Sequence, residues 1–117
     1  MEEVIIEFET AKLAKEKGFN RFSKIIYNQD KTLSYIEEEE EYNEETSILA
    51  PTQVLLQSWL RVEHNIEVNI LSDQMGYMLI VVKRNVRLEV LEIERNIFER
   101  YEDALEEGLL IGLKNIE

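Results

Sequence analysis

Cysteine is absent from the 117 residues. Disulfides, thiolate metal sites and cysteine nucleophiles are therefore excluded, and a cytoplasmic setting fits that composition. No run of eighteen apolar residues occurs, so no membrane span is expected. The opening Met1-Glu2-Glu3 is acidic and does not read as a secretory signal. Basic residues are scarce: 13 Lys and Arg stand against 25 Asp and Glu, for a net charge of -12. That balance argues against direct nucleic-acid binding, which needs clustered cations, and favours solubility and a basic partner.

Chemical motifs are equally sparse. His64 is the one histidine, and without cysteine it makes a poor transition-metal site unless carboxylates supply the other ligands. Its expected place is the end of a helix, where the dipole favours a charged imidazole and a structural role suffices. A Ser-His-Asp arrangement stays open, but no Gly-x-Ser-x-Gly elbow supports it. Glycine-rich phosphate loops are missing as well. No catalytic, cofactor-binding or metal-binding residue is nominated, and no cofactor is expected.

What is present is a fold pattern, centred on Ala50 to Val82. The single proline, Pro51, suits the start of a helix, and Thr52 can cap it. Leu55, Trp59 and Val62 repeat at helical spacing, widened by Leu56 and Leu60, with Gln53 and Gln57 on the polar side. Asn65 can close that helix in a left-handed conformation. Ile66, Val68 and Ile70 alternate with polar residues and predict a strand with one wet face. Ser72 to Gly76 supplies a turn. Tyr77 to Val82 is apolar without alternation, which predicts a central strand buried on both faces. The Trp59 helix is its expected lid, and its second side meets either further helices or another subunit.

Around this centre, Val4 to Ile6 is a first strand or a lead into a helix. Good helix formers over Glu9 to Lys17, Ala11, Leu13 and Ala14 among them, predict a helix, with Gly18 and Phe19 forming a Schellman-type stop. Its lysines are expected on a solvated face rather than a binding face. Lys24 to Tyr27 and Thr32 to Ile36 bracket a turn and predict a hairpin. The acidic run at 37–47 is expected to be a solvated, mobile loop. A calcium site there lacks the Asp-x-Asp-x-Asp-Gly framework, and imitation of a nucleic-acid backbone would need carboxylates spread over a structured face.

Val86 to Val90 alternates as a further strand, preferred over a helical reading of Val86 to Arg95. A last helix is predicted over Asn96 to Ile116, with Phe98, Tyr101, Leu105, Leu109 and Ile116 on one side. Glu99, Glu102, Asp103, Glu106 and Glu107 suit its N-terminal half, and Lys114 suits its end. Ala104, Gly108 and Gly112 recur at every fourth position. Each glycine costs about 1 kcal/mol relative to alanine in a helix, so a close approach is expected to compensate it. That approach is either packing within the subunit, the preferred reading, or a contact between two copies.

Three segments together carry a resemblance. They are Glu9-Thr10-Ala11-Lys12-Leu13 with Lys17-Gly18-Phe19; Ala50-Pro51-Thr52-Gln53 with Trp59-Leu60-Arg61 and His64; and Tyr101-Glu102 with Ala104-Leu105-Glu106 and Gly108-Leu109. The chain resembles a family of small, mostly uncharacterised proteins encoded by bacteria, their phages or mobile elements. The resemblance implies an intracellular or phage context and brings no activity.

The expectation is a single α+β domain over residues 1–117: a mainly antiparallel sheet of four or five strands covered by three helices. Its function is expected to be non-enzymatic protein–protein interaction, with an unidentified protein partner and self-association into a homo-oligomer. The alternative is an acidic inhibitor or DNA mimic that blocks a basic nucleic-acid-binding protein. An enzyme is the remote alternative.

Overall fold

A computed structural model describes residues 3–85 and 87–116, the side chains of 94–96 aside. The elements in chain order are helix α1 (Phe8–Glu16), strands β1 (Ile25–Asn28), β2 (Leu33–Tyr35) and β3 (Ser47–Leu49), then helix α2 (Gln53–His64). Strands β4 (Ile66–Asp73), β5 (Gly76–Arg84) and β6 (Leu88–Phe98) follow, and helix α3 (Tyr101–Lys114) closes the series. The class is α+β, with three helices and antiparallel pairing. The strands are divided between two three-stranded sheets, ordered β2-β1-β3 and β4-β5-β6, instead of sharing one.

The division comes from β3. Ser47 belongs to a strand, although the expected loop reached residue 47, and Leu49 stands opposite Ile26. Three residues are too few to display a period of two, and the carboxylates before them hide the start. The new strand puts β1 in the middle of the first sheet. Ile26 and Tyr27 are consecutive and both buried, so both faces of that sheet are covered at its centre.

Helix ends follow the local chemistry. Gly18 has φ 93°, a conformation that costs glycine no Cβ clash. Phe19 N–H donates to the Ala14 carbonyl at 2.9 Å and Gly18 N–H to that of Lys15 at 3.1 Å, the paired bonds of a Schellman stop. Phe19 is then buried edge-to-face on Trp59, with ring centres 5.3 Å apart. Thr52 Oγ1 accepts from Leu55 N–H at 3.1 Å and caps α2, and Asn65 ends that helix at φ 56°.

The buried stripe of α2 is rotated from its expected position. Leu56, Leu60 and Trp59 are buried together with Gln53, whereas Val62 is 61% exposed. Val62 lies about 120° around the helix from Leu56, beyond the arc that faces the core.

In the second sheet β5 is central, as expected, between β4 and β6. Strand β6 replaces the helical alternative for this stretch; Val86, where the strand was expected to begin, lies outside the described residues. The strand continues to Phe98, opposite Tyr77, so the last helix starts at Tyr101 and not at Asn96. The length of β5 decides this. It offers backbone partners as far as Tyr77, and Phe98 packs against the core from the sheet.

Helix α3 lies across β4, β5 and β6, while α2 lies over β4 and α3. A Cβ built on Gly108 would stand 2.4 Å from Val68 Cγ1, and one on Gly112 would stand 3.1 Å from Leu60 Cδ1. The small-residue stripe thus lets α3 settle on the sheet of its own subunit. It is not a helix contact between copies.

Candidate functional site

The period-two geometry of a strand sends alternate residues to opposite faces. On the helix side, Ile66 and Val68 of β4 and Leu79 and Val81 of β5 are buried beneath α3 and α2. On the other side, register places Leu71 opposite Met78, Ile80 opposite Ile93, and Val82 opposite Val90. Leu88 stands opposite Arg84 at one end. At the other end Ile97 lies against Gly76.

This outer face is open and mostly apolar, with Asn69 opposite Ile80 and Glu67 opposite Val82 as polar members of its β4 row. Leu88 is 61% exposed, Val90 53% and Ile93 42%, while Met78 and Ile80 are half-buried. Val82 is the buried member of the row. Its opposite neighbour Glu67 pairs with Arg84 at 2.9 Å, so the ion pair flanks it. Of the two covers expected for the second side of β5, further helices are therefore ruled out among the described residues. The chain sends α2 and α3 to one face of this sheet, and α1 packs on β3 and α3 instead. The chief lid of β5 is α3, not the Trp59 helix, whose tryptophan sits between Phe19 and His64.

A second feature is polar and buried. Glu106 is 7% exposed. Its Oε2 accepts from Glu7 N–H at 2.9 Å, and its Oε1 accepts from Gln53 Nε2 at 2.9 Å. Gln53 Nε2 also donates to the Glu102 carbonyl at 2.9 Å. One carboxylate thus ties the start of α1 and the start of α2 to α3. The Glu7 carboxyl is raised from its ordinary value, first by partial desolvation of this largely exposed side chain and then by repulsion from Glu106 and Asp103. Composition gives no hint of this knot: Glu106 counts as one more acid near a helix start, and Gln53 as a wet residue. The helical period carries a trace, since Glu106 lies about 20° around the helix from Leu113, at the edge of the arc that faces inward.

The acidic stretch is arranged differently. Glu39–Glu41 form a 3-10 turn, and Glu37 through Glu41 are all exposed. Tyr42 is half-buried and donates its hydroxyl to the Ser47 carbonyl at 3.2 Å. Lys15 Nζ donates to the carbonyls of Glu44 and Ser47, which anchors the C-terminal side of the stretch to α1. A groove of about 460 Å³ runs beside it, between Phe19, Phe22, Tyr42 and Leu49.

His64 ends α2 and meets Trp59 edge-to-face with ring centres 4.7 Å apart. Among the described residues, no three His, Asp or Glu side chains are grouped to hold a metal ion. No helix of the described residues is long and apolar enough to cross a membrane. No family model, no curated protein and no solved structure matches the chain.

Proposed function

We propose that this protein acts by contact with another protein, through the outer face of the β4-β5-β6 sheet, and not by catalysis. We place it in the cytoplasm. One observation carries the reading: Leu88, Val90 and Ile93 stand open to solvent on a sheet whose opposite face buries Ile66, Val68, Leu79 and Val81. A contiguous apolar face on an otherwise charged surface is the usual mark of an interaction site. Replacing Val90 with a photo-crosslinking residue tests it in cells. Illumination is expected to join the chain to one discrete partner. The same residue placed at Val54, exposed on α2, is expected to give none. Absence of any Val90 adduct would remove the reading.

A second reading draws on the other sheet. The Ile25–Leu49 segment holds eight carboxylates against one lysine, a field suited to a basic nucleic-acid-binding protein. Such binding would weaken steeply as salt rises. A complex insensitive to salt would exclude it.

A further inference from the structure

Resting on that reading, we infer that the occupant of the open sheet face is a second copy of this chain, packed sheet on sheet across a two-fold axis. Charge is the first argument. The chain carries -12 overall, so two copies repel wherever carboxylates face one another. The Ile66–Phe98 segment that builds this sheet has five carboxylates and four basic residues, and register turns Glu89 and Glu92 to the helix side, opposite Lys83 and Val81. Glu67 and Arg84 close their own ion pair at its margin. This is the surface on which two equally acidic bodies can meet with little repulsion. A basic protein or a cationic surface would be drawn to the Ile25–Leu49 side instead.

Shape and area agree with the charge. Strands about 4.8 Å apart, rising about 3.3 Å per residue, give a three-stranded face of roughly 400 Å² in projection. Side-chain relief raises the accessible area, so two stacked faces come near the total of about 1,200 Å² at which specific pairs begin. The rows Leu71–Met78, Ile80–Ile93 and Val82–Val90 run side by side across the sheet. Two-fold stacking sets the same rows against each other, the self-complementary contact that an isologous dimer needs.

Sedimentation equilibrium of the full chain tests the inference, from about 1 to about 100 µM. The expected particle has twice the 13.9 kDa chain mass. Val90→Lys and Ile93→Lys, at positions already exposed, are expected to weaken the dimer by about 100-fold or more, because each places like charges across the axis. Val90→Ser, a milder change, is expected to weaken it less. Val54→Lys on α2 is expected to leave it intact. Far-UV circular dichroism checks that each variant is folded. Added salt is expected to hold or tighten the pair by screening residual repulsion.

A wild-type monomer at about 100 µM would overturn the inference. So would a dimer that survives both lysine variants, or one broken by Val54→Lys. If the chain is monomeric while the Val90 crosslink yields an adduct heavier than the chain but not twice its mass, the second-copy assignment fails and the interaction reading stands.

Discussion

The two sheets are built from the same number of strands and held in opposite ways. In the first, the strands are three or four residues long. Its central residues are secured by polar ties to neighbouring loops and helices. Tyr27 donates its hydroxyl to the Ile6 carbonyl at 2.6 Å, packs edge-on against Phe8, and shares its surroundings with the Glu106 knot. In the second, the strands are eight to eleven residues long. Its hold on the rest of the protein is mainly apolar, with Leu79, Val81, Val68 and Ile66 beneath Leu105, Leu109 and Leu113, and Gln57 Nε2 donating to the Val68 carbonyl at 2.7 Å. Short strands have too little side-chain area to order themselves, so directed hydrogen bonds must set their place. Long strands align themselves, and one greasy face is enough.

If that contrast is right, the largest losses come from the helix side of the second sheet. Leu79→Ala should cost about 3 kcal/mol, since Leu79 is fully buried and its removal leaves a cavity under α3. Ile93→Ala, on the outer face of the same sheet, should cost the isolated chain no more than about 0.5 kcal/mol. Urea denaturation at a concentration that keeps the chain monomeric compares them, and equal losses would break the one-sided picture.

Gly108→Ala sharpens it. The added methyl gains roughly 1 kcal/mol of helix propensity but meets the stiff Val68 side chain at 2.4 Å, so a net loss of about 2 kcal/mol is expected. Gly112→Ala meets the more adaptable Leu60 at 3.1 Å, and its change should stay within about 1 kcal/mol of zero.

Glu106→Ala probes the polar knot. It strips the acceptor from Glu7 N–H and from Gln53 Nε2, and should cost about 2 kcal/mol. Amide exchange should accelerate at the start of α1 while the centre of β5 stays protected. Uniform acceleration over both sheets would show that the knot serves the whole fold equally.

Tyr27→Phe is the mildest. Losing one hydrogen bond to a buried carbonyl should cost about 1 kcal/mol near neutral pH. Burial, then the charges of Glu106 and Glu7, raise the Tyr27 hydroxyl above its ordinary value of 10.0. The folded state therefore holds the proton more tightly than the unfolded state. Stability from this group is complete below pH 10 and declines as pH rises from there through the raised value. Thermal melts of wild type should show that alkaline decline, and Tyr27→Phe should reduce it.

Much of the local structure was legible. The Gly18-Phe19 stop, the Thr52 cap, the Asn65 terminator, the β4-β5 hairpin and the central place of β5 each depend on a few adjacent residues with specific backbone or hydrogen-bonding preferences. Other features were not legible. Tyr77 to Val82 is apolar at every position, which ordinarily means cover on both sides, and that run does not say that α2 and α3 take one face only. Ser47 to Leu49 has no pattern of its own and becomes a strand because β1 presents a free edge to it. The boundary near Asn96 moved for a similar reason, since β5 was long enough to extend its partner through Phe98.

Taken alone, the order of residues determined helix stops, turns, strand alternation and an acidic charge balance, because these arise from interactions within a few residues or from simple addition. Tertiary structure decided that the strands divide into two sheets, that Glu106 is buried between two helix starts, and that one apolar sheet face stays open. Those outcomes depend on which surfaces far apart in the chain fit one another best, and no local preference encodes that.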